Sequence, residues 1–129
     1  MTASLFDQVP GEIARTAVLS LCGTYRYELR RAWGPGPAVG WIMLNPSTAT
    51  ADVDDATIRK CVRFAKGWGY DGIVVRNLYA LRSRNPKALK NHPNPVGPDN
   101  AEHLARAVEE PVAVCAWGAN ADLLDVAWA

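Results

Sequence analysis

The sequence predicts an α/β fold: a three-layer α/β/α domain on a short, mostly parallel central sheet, with an N-terminal antiparallel hairpin. Three observations lead there. Val39-Gly40-Trp41-Ile42-Met43-Leu44 is an apolar run closed abruptly by Asn45-Pro46-Ser47-Thr48, and such a run bounded by a turn signal reads as a buried strand. Gly72-Ile73-Val74-Val75-Arg76-Asn77-Leu78 is a second compact run, rich in β-branched residues. Between them Ile58, Cys61, Val62 and Ala65 fall at helical spacing, forming one apolar stripe. Two apolar strands joined through an amphipathic helix form a right-handed βαβ unit with a parallel pair.

A chain of 129 residues suits a single domain. Residues 1–15 show no clean period and read as a flexible lead-in; residues 16–129 form the domain. With 49% hydrophobic and 21% charged residues the chain is ordinary for a globular protein, which excludes disorder. No apolar run approaches the ~20 residues that span a bilayer, so no membrane partner is expected. The N-terminus lacks the basic and apolar regions of a secretory signal. Cys22, Cys61 and Cys115 are odd in number and far apart, which argues against a disulfide framework and fits a reducing cytoplasm.

The elements follow in order. Thr16 to Ser20 is a short apolar run. In Tyr25-Arg26-Tyr27-Glu28-Leu29-Arg30, Tyr25, Tyr27 and Leu29 alternate with Arg26, Glu28 and Arg30, the period of a strand with one polar face. Gly34-Pro35-Gly36-Pro37 is a turn, so strands 24–33 and 38–44 are expected to pair as a hairpin. The second is apolar on both faces, as a central strand is. Asp54 or Asp55 can cap the helix, Arg59, Lys60, Arg63 and Lys66 take its outer face, and Gly67 and Gly69 end it. Arg82 to Pro98, with four prolines, is a long irregular segment of the kind that is functional or disordered. Asp99 caps a helix through Glu109, with Leu104, Ala105 and Val108 inward. Pro111 to Trp117 reads as a third buried strand. A last helix, 121–129, reaches the chain end uncapped with Val126 and Trp128 still apolar, which predicts a C-terminally shortened form of a longer domain.

Charge is unevenly spread. Net charge is +1, yet residues 56–90 carry +8 and residues 91–129 carry −5. A basic middle third points to a phosphate-bearing partner, or to a solvated basic face with none.

Ligands of open α/β sheets bind beyond the carboxyl ends of strands, which singles out Asn45 and Asn77. An Asn amide offers one acceptor and two donors. At a pocket floor it can hold a water or read a nucleobase edge; alternatively it bonds its own backbone in a turn. Asp54 and Asp55 could act as general base or cap the helix. Pro46, Ser47 and Thr48 line the same pocket. Tyr79 could stack on a base or sit in the core. Arg82, Arg84, Lys87 and Lys90 are placed to grip phosphates. His92 and His103 lack ligand spacing and no Cys or His pair has it, so no metal and no other cofactor is expected. Cys61 and Cys115 read as inert core residues.

Three segments together resemble domain-of-unknown-function family 1643, found in bacteria and phages. They are Tyr25-Arg26-Tyr27 with Leu29, Arg30 and Trp33; Met43 to Thr48 with Asp54-Asp55-x-Thr57; and Asn77-Leu78-Tyr79-Ala80-Leu81-Arg82. More distantly, the layout is similar to the uracil-DNA glycosylase superfamily. Asn45-Pro46 matches a motif whose Asn positions the attacking water. Asn77-Leu78 matches one whose Asn reads the base edge, and Trp117-Gly118 with Ala121 matches a later strand end. That superfamily closes with a His-containing loop; His92-Pro93 imitates it but lies between the second and third parallel strands.

The resemblance and the residues together imply a nucleic-acid or nucleotide-binding protein, with N-glycosidic hydrolysis of a modified or mismatched base as the expected chemistry. In that reading Asn45 holds the water with Asp54 or Asp55 assisting, Asn77 reads the base, and the flipped base leaves its stack. The alternatives are a non-catalytic nucleic-acid-binding module of the same fold and an enzyme on free nucleosides or nucleotides. Oligomeric state has no signature in the sequence.

Overall fold

Strand β3 (Ala38–Met43), helix α1 (Ala56–Gly67) and strand β4 (Gly72–Asn77) form the expected βαβ unit, in the computed structural model that describes residues 13–118 of the chain. β3 and β4 pair in parallel from Ala38↔Gly72 to Met43↔Asn77, so both strands end on the same edge. The Asp55 carboxylate caps α1, accepting from the Ile58 N–H at 2.9 Å. Ile58, Cys61 and Ala65 are buried, and pack with Leu29, Val39, Trp41, Ile73 and Val75 into the main core. The helix ends at Gly67, and Gly69 takes the left-handed conformation at φ 84°.

Around this unit lie β1 (Ala14–Leu19), β2 (Arg26–Ala32) and β5 (Val112–Ala116), in the order β1-β2-β4-β3-β5. The sheet is mixed. β1 with β2 and β2 with β4 are antiparallel, whereas β4 with β3 and β3 with β5 are parallel. The expectation of a mostly parallel sheet is corrected to this extent. The fold class, α/β, stands.

The expected hairpin between 24–33 and 38–44 does not form. β2 pairs with β1 through the turn at Ser20–Tyr25, where Gly23 has φ 74°, and β4 separates β2 from β3. The Gly34–Pro37 segment instead crosses the start of β4. The Asp71 carboxylate accepts from the Gly36 N–H at 2.8 Å, and the Asp71 backbone bonds Trp33 and Pro37. A Cβ at Gly36 would run into that carboxylate, so a larger residue there would displace the Asp71 side chain from this bond. β1 also begins inside the stretch expected to be a mobile lead-in.

The alternation read in β2 is interrupted. Val18 is opposite Glu28 but Leu19 is opposite Arg26, leaving Tyr27 as the extra residue of a β-bulge. Beyond the bulge Leu29 joins the α1 core and Arg31 bonds Asp54 and Thr50. Before it, Arg26 turns to the α1 side and bonds Ala49 O at 2.8 Å. Tyr27 stacks instead on His103, ring centroids 5.0 Å apart.

The opposite face of the sheet is met by α2 (Asn100–Ala105) and a 3₁₀ turn, Arg106–Glu109, where the sequence suggested one helix to Glu109. Val108 and Ala105 are exposed there rather than inward. The buried Glu28 carboxylate joins this layer to the sheet, receiving Arg30, Arg76, His103 and Arg106, and Arg76 also pairs with Glu110. Among the described residues β5 lies at the edge of the sheet with mostly exposed side chains, where a buried strand was expected. Cys115 is accordingly exposed, while Cys61 is buried as expected. The expected helix at 121–129 and residues 1–12 lie outside the described residues.

Candidate functional site

The backbone ladder between β3 and β4 continues past the strands. Leu78 and Tyr79 donate to Met43 O and Leu44 O, and Ser83 donates to Pro46 O, each at 2.9 Å. The two loops that follow the strands are thus fastened side by side. Asn45 reinforces the seam, its Nδ2 donating to Ser83 O at 2.8 Å and to Pro46 O at 3.1 Å.

Two recesses open along this seam. One is a small, partly open cavity of about 50 Å³, lined by the polar Arg26, Asn45, Ser47, Asp55, Thr57 and Asn77 together with Met43, Pro46 and Ile58. The other is an open groove of about 390 Å³, lined by Gly23, Thr24, Ser47, Thr48, Arg82, Ser83 and Arg84. Ser47 belongs to both. Ligand sites span roughly 300–1,000 Å³, so the groove has the room for a ligand and the cavity beside it has room only for a small group.

The strand-end asparagines therefore meet at one cavity, in different states. The Asn45 amide nitrogen is committed to backbone carbonyls. Asn77 is 1% exposed, and neither its Oδ1 nor its Nδ2 has a partner among the described residues. An unmet buried amide costs about 1–3 kcal/mol. Its backbone is fixed from the other side of the sheet, where the Asn100 amide donates to Asn77 O at 2.9 Å.

The two aspartates divide. Asp55 lines the cavity and caps α1. Asp54 is turned away into ion pairs with buried Arg31 at 2.8 Å and with Arg15 at 3.1 Å. Burial raises the Asp54 carboxyl, but hydrogen bonds and charge from Arg31 and Arg15 outweigh it and hold it below the ordinary value. A carboxylate so paired is a structural anchor, not the free base that assistance to a water requires.

Tyr79 is a correction of the same kind. It is fully buried in a second core cluster with Leu44, Leu81 and Leu89, so it supports the loop rather than stacking on a ligand. Pro46 is buried against the cavity, and Ser47 and Thr48 line the groove. Of the four expected phosphate-gripping residues, Arg82 and Arg84 line the groove. Lys87 and Lys90 stand exposed on the 3₁₀ turn Pro86–Asn91, outside its lining. Cys22 precedes Gly23 in sequence; hydrogen bonding with Ser20 and Thr24 lowers its thiol to about 7, whereas burial pushes Cys61 up to about 12. Among the described residues no group of three or more His, Cys, Asp or Glu side chains gathers as a metal site, and no helix is long and apolar enough to cross a membrane.

Arg26 is the residue that sequence reasoning missed. Alternation grouped it with Glu28 and Arg30; the bulge at Tyr27 puts it in the cavity. Nothing local in the sequence marks that bulge.

Fold and site together define a mixed α/β domain with a small cavity of mixed polar and apolar lining at the carboxyl ends of its parallel strands. The model of the family described as protein of unknown function (DUF1643) matches residues 26–127, and the chain belongs to that family. No curated protein and no solved structure matches it.

Proposed function

We propose that the protein binds nucleotides or nucleic acid through the groove at the carboxyl ends of β3 and β4. The observation that carries this reading is an arginine-lined groove that shares Ser47 with a neighbouring cavity holding the unpaired Asn77 amide. Guanidinium groups grip phosphate oxygens and position a ligand. The hydroxyls of Thr24, Ser47 and Thr48 add neutral donors along the same wall. The amide then meets whichever polar group of the ligand reaches inward.

Anisotropy titrations of labelled single-stranded DNA across a salt series test it. Binding should weaken steeply with salt. Arg84→Ala should reduce affinity at low salt and lower the salt slope by about one. The absence of binding at low salt, or an Arg84→Ala variant with unchanged affinity and slope, defeats the reading.

Cleavage of an N-glycosidic bond is the second reading. It is favoured by the room for water between Asn45 and Asn77. It is weakened by Asp54, which is fully engaged with arginines. Incubation with DNA carrying uracil or mismatched thymine, followed by detection of abasic sites, separates the two: a binding module leaves every base attached to its sugar.

A further inference from the structure

Two groups in the wall of the small cavity, Arg26 and Asn77, have polar atoms without a counterpart. Arg26 is 3% exposed, and no carboxylate reaches ion-pairing distance of it among the described residues. Its Nη1 donates to Ala49 O, and its Nε has no partner. Burial draws its guanidinium down to about 10, only partly offset by the Asp55 charge. A buried cation without a paired anion is costly. Asn77, on a different strand, leaves a donor and an acceptor unmet at the same cavity.

We propose that this cavity binds a phosphate monoester or inorganic phosphate in its protonated form. Arg26 and the Asn77 Nδ2 donate to the charged oxygens. The lining also holds acceptors, the Asp55 carboxylate and the Asn77 Oδ1, and these require a ligand oxygen that still carries a proton. Sulfate has none to give, so its oxygen would meet the Asp55 carboxylate as one acceptor facing another. Size agrees: a single water needs roughly 10–15 Å³, so about 50 Å³ holds a head group of a few heavy atoms and not a whole base. The proposal rests on the nucleotide reading in one respect, that the phosphate entering through the groove is the terminal phosphate of a nucleotide or strand.

Calorimetric titration of the full chain with inorganic phosphate and with sulfate tests the cavity directly. Phosphate is expected to bind and sulfate to bind at least about tenfold more weakly. Asn77→Asp preserves shape but adds a like charge, and should weaken phosphate binding about tenfold or more. Arg26→Gln should do the same, and if that variant does not fold, Asn77→Asp carries the test. Equal affinity for the two anions, no phosphate binding, or a nucleoside bound as tightly as its monophosphate overturns the proposal. Binding of hydroxyl-ended DNA that depends on Arg84, with no response to phosphate, overturns this proposal and leaves the nucleotide reading standing. Phosphate binding lost in Asn77→Asp, with no binding of any nucleotide or DNA, supports the cavity and removes the groove reading.

Discussion

Asn77 has its main chain held on both sides while its side chain is unsatisfied. Met43 O and Asn100 tie down the backbone around it, yet neither amide atom finds a partner. A residue kept for stability would not be arranged so. Replacing a buried, unsatisfied polar group by an apolar one of similar shape is neutral or stabilising. Asn77→Leu should therefore leave the stability measured by urea unfolding unchanged or raise it by up to about 1–2 kcal/mol, while abolishing phosphate and nucleotide binding. A clear loss of stability in that variant would mean that the amide is satisfied and structural. Arg26 presents the same pattern with a charge in place of a dipole, and the coincidence of both at one cavity is what gives the site its chemistry.

At the scale of elements, α1 does two things. Its apolar stripe seals the main core, and its first turn delivers Asp55, Thr57 and Ile58 to the cavity wall. Asp55 serves both ends: one oxygen caps Ile58, and its charge faces Arg26. Asp55→Ala should cost about 1 kcal/mol in chemical denaturation through the lost cap, and should also weaken phosphate over sulfate discrimination in calorimetry. A variant with full stability would show that the cap is made by another group. The stripe and the cap are both local features, which is why α1 was readable from residue spacing. β2 was not: its polar and apolar residues alternate on paper, but pairing with β1 inserts Tyr27 as an extra residue and redistributes the faces. The long segment after Arg82 was readable as irregular, and its 3₁₀ turn emerges from Asn85, whose side chain accepts from the Lys87 N–H at 3.0 Å.

Across the whole molecule, one buried and one half-buried carboxylate fasten layers to one another. Glu28 joins the sheet to α2 and its 3₁₀ turn, and Asp54 joins the α1 entry to β1 and β2. Burial raises the Glu28 carboxyl, yet hydrogen bonds from Arg30 and His103 and the charges of Arg30 and Arg76 more than compensate and hold it below the ordinary range. Both groups thus have folded values below their unfolded ones, near 4. The stability they supply is complete above that unfolded value and is lost as pH falls through the folded values. Unfolding midpoints measured from neutral pH downward should hold to about pH 5 and then drop steeply. Asp54→Asn should shift the neutral-pH midpoint down and flatten the acid slope. A variant whose profile parallels the wild type would remove Asp54 from this account.

What the sequence determined by itself is the set of features fixed by near neighbours. The two apolar strands, the stripe and cap of α1, and the placement of Asn45 and Asn77 at strand ends all follow from spacing and turn chemistry over a few residues. The tertiary structure alone decided which strands pair, since hydrogen bonding between strands is blind to chain order and β4 could displace the hairpin that adjacency suggested. It decided that Tyr79 is core and Asp54 is paired, because burial and ion pairing depend on residues up to tens of positions away. It brought Arg26 to the cavity as well: a bulge is set by register between two strands, and register is written in neither strand alone.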